Sequence, residues 1–340
     1  MRLFRKKARP EAETIAEFWQ WWATARDGVA AAIPAGTVGG FADELGRRVE
    51  AIRADLQWEL APGTTSAHAL VVTSGGQAAL RATAARWLAA APPADDTWSY
   101  RCVRAADPAT FEATIELDGH KLDLAQIRYG ITVDKQRHQI DVVCYHPAFA
   151  GLPDNIQGQI TFLTLDWAVG ETNVEIWLGE IGWTATPPAN PATPQDLRHA
   201  VTAVAGDEDS WVLMQGQGRD GTPLLATAAS PLRSARWPRF DLHVPVRLPY
   251  QRYNEGLFPV DESLTALRAF EDELSDAIAA NGALVAHETS GRVRTLHFYV
   301  DSHTNALAEI ESHLPRWREA AATVKPQLDP AFEHVRHLAQ

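Results

Sequence analysis

The residues best suited to chemistry are carboxylates and histidines. Glu59, Glu175 and Glu180 lie in strand-like segments, and paired carboxylates are the usual means of acid–base hydrolysis. In "NVEIWLGEIGW" Glu180 falls in phase with Val174, Ile176 and Leu178. A carboxylate on an aliphatic strand face is expected to be partly buried, with a shifted pKa. Glu180 is therefore the one catalytic candidate, set against a strand-end carboxylate that simply reaches solvent. The 12 histidines include His287, His297 and His303, and His334 with His337, but none falls in a metal-ligand spacing with a second ligand type. A turn at Ser290-Gly291 pairs His287 with Arg294 and His297 with Leu284, on opposite faces, so no shared metal is expected. Cys102 and Cys144 sit in apolar strand-like runs and read as free, buried thiols. "GQGRDG" satisfies G-x-G-x-x-G, yet the residues after it look like a strand and not a helix, so a hairpin turn is expected and no dinucleotide cofactor.

The chain has 340 residues and a net charge of −12, which disfavours a nucleic-acid backbone as partner. Its basic residues cluster only in "MRLFRKKARP", read as a flexible tail over residues 1–10. No apolar run is long enough for a membrane span, and no secretory leader is recognisable, so a cytoplasmic protein is expected.

Helices are expected over Glu11–Ile33 and Phe41–Asp55. In the first, "EFWQWW" places Phe18, Trp19 and Trp22 on a stripe with Ile15, Val29 and Ile33, leaving Trp21 on the other side as a candidate contact residue. Two ββαβ units follow, about 56–105 and 125–182, the second with a hairpin through Lys135-Gln136 and "TNVEIWLGEIGW" as its last strand. The chain then divides into an N-terminal α+β module over 11–186, a Pro-rich linker with a helix and hairpin over 187–238, and a C-terminal domain over 239–340.

The last segment reads β-α-β-β-α-β, the split βαβ or ferredoxin-like arrangement, so the fold class is α+β. Two helices should cover the sheet face bearing Leu242, Val244, Val246, Leu296, Phe298 and Val300. The other face would present His243, Arg247, Glu288, Thr295, His297 and Tyr299, either as a protein-contact surface or as a seam against the N-terminal module.

This C-terminal region resembles the bacterial "domain of unknown function 695" family, through Glu271-Asp272-Glu273-Leu274, the Gly291-Arg292 turn and His297-Phe298-Tyr299. A related ferredoxin-like domain occurs in the regulator of ribonuclease E activity B. "EFWQWW" and "APPADDTWSYRCVRA" resemble the front of uncharacterised bacterial proteins. The resemblance implies a fold and no known catalysis. The expected function is non-catalytic, regulatory or adaptor-like, through an unknown protein partner, with no cofactor, metal, nucleic acid or membrane. Two alternatives stand beside it: a hydrolase-type enzyme, and a small-molecule sensor lined by Trp58, Trp98 or Trp177, each with a site between the modules.

Overall fold

A computed structural model describes residues 10–117, 119–206, 210–218 and 221–339; the basic tail over 1–9 and Arg219-Asp220 of the glycine-rich turn lie outside the described residues. The chain is α+β and divides into two compact units, 1–104 and 105–340.

The first unit starts with α1 (Glu11–Ala35) and α2 (Gly39–Ile52), with Gly36 in the left-handed conformation ending α1. A sheet of β1 (Gln57–Pro62), β2 (His68–Thr73) and β3 (Trp98–Arg101) follows, with α3 (Ala78–Ala89) in the β2–β3 crossover. β1 and β2 pair antiparallel, β2 and β3 parallel. The helices bury one face of this sheet, represented by Leu70, Val72 and Trp98, beneath Phe18, Trp19, Trp22 and Trp87.

The second unit opens on the hairpin β4 (Thr114–Leu117) and β5 (His120–Asp123). The same ββαβ order then recurs. β6 (Arg128–Asp134) pairs antiparallel with β7 (Gln139–Tyr145), and β7 pairs parallel with β8 (Leu178–Thr184). The crossover holds α4 (Asp154–Val169) and α5 (Glu171–Trp177). Half of the expected last strand is therefore helix. Gly170, at φ 86°, breaks α4 and lets the chain restart helical at Glu171. α6 (Pro194–Ala205), opened by a Thr193/Asp196 capping box, buries Leu197 and Val201 in the same core. The expected linker thus begins with a short loop and continues as part of this core.

A seven-stranded sheet completes the unit. It contains β9 (Trp211–Gln217), β10 (Pro223–Ala229), β11 (Leu242–Pro249), β12 (Gly282–Ser290), β13 (Val293–Val300) and the short β14 (Thr323–Val324), in the order β14-β11-β13-β12-β10-β9. The two-residue β15 (Gln327–Leu328) also pairs with β11. Helices α7 (Asp261–Ile278) and α8 (Ala306–His313) follow β11 and β13 in sequence, giving the β-α-β-β-α-β order, and bury Val244, Val246, Leu296, Phe298 and Val300. Pro245 offers no N–H where β14 and β15 are separated by Lys325-Pro326.

The β12–β13 turn is centred one residue later than expected. Gly291 and Arg292 both have positive φ, 56° and 66°, as a two-residue primed turn demands. His287 therefore faces Leu296 across the ladder, and a bulge at Leu284/Ala286 brings Ala286 opposite His297.

Candidate functional site

The sheet face expected to be an open surface or an intermodule seam is covered by the chain's own C-terminal segment. A helical turn over Glu333–Leu338 places Val335 and Leu338, with Phe332, against Ala226, Ala286 and Tyr299. Phe332 stacks on Tyr299 with ring centroids 3.6 Å apart. Asp329 anchors the cover: its carboxylate accepts the Tyr299 hydroxyl at 2.6 Å and the Glu333 and His334 amides at 2.9 Å each. His243, His297 and Tyr299 are consequently buried, Glu288 and Thr295 half-buried, and Arg247 alone of that set is exposed. Three-residue spacing of Phe332, Val335 and Leu338 was the sequence signal for this cover.

Beneath it runs a polar chain. His337 Nε2 donates to Glu288 Oε1 at 2.8 Å, His297 Nε2 to Glu288 Oε2 at 3.1 Å, and His243 Nε2 meets His297 Nδ1 at 3.0 Å. With Nε2 of His297 donating, its neutral tautomer leaves Nδ1 to accept from His243. Burial, together with His297 and His334 nearby, pushes His243 down to about 3. Burial raises the Glu288 carboxyl, but the hydrogen bonds from His297 and His337 outweigh it and hold the group at about 2. The Glu288 bond raises His337. No group of three or more metal-ligating side chains arises among the described residues. The chain of bonds is a packed polar core that fastens the C-terminal cover.

Trp21 is half-buried and packs into the first unit's core, edge-on to Phe18 and beneath the Arg48 guanidinium, 4.7 Å from the ring centroid. α1 has a second buried side because α2 lies along it: a Cβ on Gly28 would sit 3.1 Å from Phe41. Trp98 and Trp177 are buried in the cores of the first and second units, and Trp58 packs half-buried in the first. Cys144 is buried and its thiol is pushed up to about 11, while Cys102 is half-buried.

Glu180 lies elsewhere than its phase predicts. Val174 and Ile176 are helical, so they set no strand face. The β7–β8 register then slips between Ile140 and Val142, so that Leu178 and Ile181 both pair with core residues and Glu180 turns outward. The bulged Glu180 N–H is taken up by Asp141 Oδ1 at 2.8 Å, while Asp141 Oδ2 accepts from Arg137 at 2.8 Å. A Cβ at Gly179 would displace that same Asp141 oxygen. The Glu180 carboxylate is exposed and has no partner among the described residues.

Glu180 stands at the rim of a groove of about 640 Å³ on the outer face of β6–β8. Its floor is backbone and small side chains, Gly130, Thr132 and Gly182, with Val143 41% exposed. Pro187 and Pro188 form one wall, Pro188 lying 3.3 Å from where a Gly130 Cβ would be. An isolated antiparallel bridge from Tyr129 to Ala192 holds the chain beyond that wall beside β6. Among the described residues no histidine, cysteine, serine or lysine lines the groove, and its second carboxylate, Asp141, is already engaged by Arg137 and the bulge. Three threonines, Thr132, Thr184 and Thr186, add to its polar lining, and such a surface can receive a chain. No helix among the described residues is long and apolar enough to cross a membrane. A scan of protein-family models finds no match to the chain, and no curated protein matches it.

Proposed function

We propose that the chain is a non-catalytic adaptor that holds an extended, basic polypeptide segment along the outer face of β6–β8. The observation that carries this reading is the groove itself: a floor left open at Gly182, an apolar contact at Val143, a rigid proline wall packed on Gly130 and an unpaired Glu180. An extended segment can lie close on such a floor because nothing projects from Gly182. Lysine or arginine on the segment gives Glu180 a charge partner, and the net charge of −12 favours the approach of a basic partner. A regulatory role, a cytoplasmic location and the C-terminal likeness to the "domain of unknown function 695" family belong to the same proposal.

Phage display of random ten-residue peptides against the purified chain tests it. The expected outcome is enrichment of sequences that alternate Lys or Arg with small or aliphatic residues, abolished by Val143→Asp. Enrichment of nothing by the wild-type chain, or of the same peptides by Val143→Asp, defeats it.

A further inference from the structure

β9 is the outermost strand of the seven-stranded sheet, and its hydrogen-bonding parity can be read from its two ends. Ser230 N–H donates to Ser210 O at 2.9 Å at one end, and Gly218 N–H to Thr222 O at 2.8 Å at the other. Bonded pairs alternate in an antiparallel ladder, so Val212, Met214 and Gly216 bond inward to β10. The backbone N–H and C=O groups of Trp211, Leu213, Gln215 and Gln217 therefore point out of the sheet. None of these outward groups has a partner among the described residues. The side chains of the same four residues are exposed, Trp211 at 47% and Leu213 at 60%.

Edge strands are ordinarily blunted by charge, proline or brevity. The opposite edge of this sheet is: it consists of two two-residue strands interrupted by Lys325-Pro326. β9 is seven residues long and contains no charged side chain and no proline. An open ladder beside an apolar strip is the form that receives an added strand.

Charge decides which strand adds. In the sequence Asp207, Glu208 and Asp209 precede β9 and Asp220 follows it, four carboxylates against the one cation Arg219. Arg137, which lines a small cleft with Val212, is already engaged by Asp134 and Asp141. A second copy would bring the same acidic flanks and the same net charge of −12, so like charge opposes self-pairing. We propose that β9 takes up an extended segment of a basic partner protein as an eighth strand of the sheet. The main chain of that segment supplies the missing hydrogen bonds. Its middle carries aliphatic residues for contact with Trp211 and Leu213, and its ends carry Lys or Arg, matching the acidic residues that bracket β9. The inference is independent of the groove reading, since β9 shares no residue with the groove.

Amide chemical-shift mapping of the full chain with one peptide provides the test: alternating valine and threonine, with two lysines at each end. Saturable shifts are expected at Trp211, Leu213, Gln215 and Gln217, and they should persist in Val143→Asp, which closes the groove. N-methylation of the valine and threonine amides removes the donors and should abolish the β9 shifts. Replacing the peptide's lysines by glutamate, or Gln215→Pro in a chain of unchanged far-ultraviolet circular dichroism, should each weaken binding at least tenfold, roughly the cost of lost charge complementarity or of one edge hydrogen bond. Absence of β9 shifts at about 1 mM peptide, the weakest affinity that counts as recognition here, overturns the proposal. Equal binding by the methylated or the glutamate peptide overturns it too, as does loss of the β9 shifts in Val143→Asp, or a chain that without peptide dimerises through β9.

Discussion

The two ββαβ units share one topology and use it differently. In both, an antiparallel hairpin leads through a helical crossover to a third strand parallel to the second. The first unit fills the space between its sheet and helices with interlocked rings. Trp19 stacks on Trp87 at 4.7 Å and Trp22 meets Trp98 edge-on at 4.9 Å. The indole N–H groups of Trp19, Trp22 and Trp98 donate to Trp87 O, Tyr100 Oη and Arg26 O. The second unit has a largely aliphatic core, Ile140, Val142, Ile160 and Leu165 among it. Its β8 carries a bulge, and its outer face carries glycines, which leave the groove. The difference teaches that topology sets where strands lie, while one inserted residue and one missing side chain, at Gly182, decide whether a sheet face can receive a ligand.

Trp22→Ala should break the contrast most severely on the first side. The side chain is fully buried, so a loss of about 3–5 kcal/mol is expected from urea unfolding. Amide exchange over 57–101 should rise while that over 128–145 stays as in wild type. Next is Gly179→Ala, which forces a methyl group against Asp141. A loss of about 1–3 kcal/mol is expected, and with it the amide protection at Glu180.

A second contrast separates the open face of β6–β8 from the face of β11–β13 that the chain closes itself. The closed face should respond to acid already near neutrality, through its buried histidine. The folded value of His243 lies near 3 against an ordinary 6.5, so the unfolded chain takes up the proton first as pH falls. Stability from this group is present above pH 6.5 and is lost on descending from 6.5 toward 3. Glu288 acts in the same direction between 4.5 and about 2. His337, raised by Glu288, opposes them: its contribution is present below 6.5 and lost as pH climbs through its raised value. The melting temperature should fall by about 2–4 °C between pH 7 and pH 5. Protection of the Phe332–Leu338 amides should fall first, and His243→Phe should flatten the slope. Glu180→Gln comes last. The side chain is exposed, so thermal stability should stay unchanged while affinity for a basic peptide drops about tenfold, the loss of one charge-assisted contact.

Much of this was legible in the sequence. Alternation and turn residues set both ββαβ orders, the β-α-β-β-α-β order and the helix-facing residues of β11 and β13. The groove was not, for identifiable reasons. α5 reads as a strand because Val174, Ile176 and Leu178 alternate, yet Gly170 restarts a helix there. A bulge shifts Glu180 by a single residue and leaves no mark in the apolar pattern. The C-terminal cover was missed because a six-residue turn carries only two apolar positions, Val335 and Leu338, with Phe332 just ahead of it.

Amide chemical-shift mapping of the full chain with a display-selected basic peptide tests the central claim most directly. The account predicts saturable shifts confined to the groove, at Gly130, Thr132, Val143, Glu180 and Gly182, weakened by Glu180→Gln and absent over 57–101 of the first unit. Shifts centred on the first unit or on the closed face of β11–β13, with Gly130, Val143 and Gly182 unmoved, would contradict it.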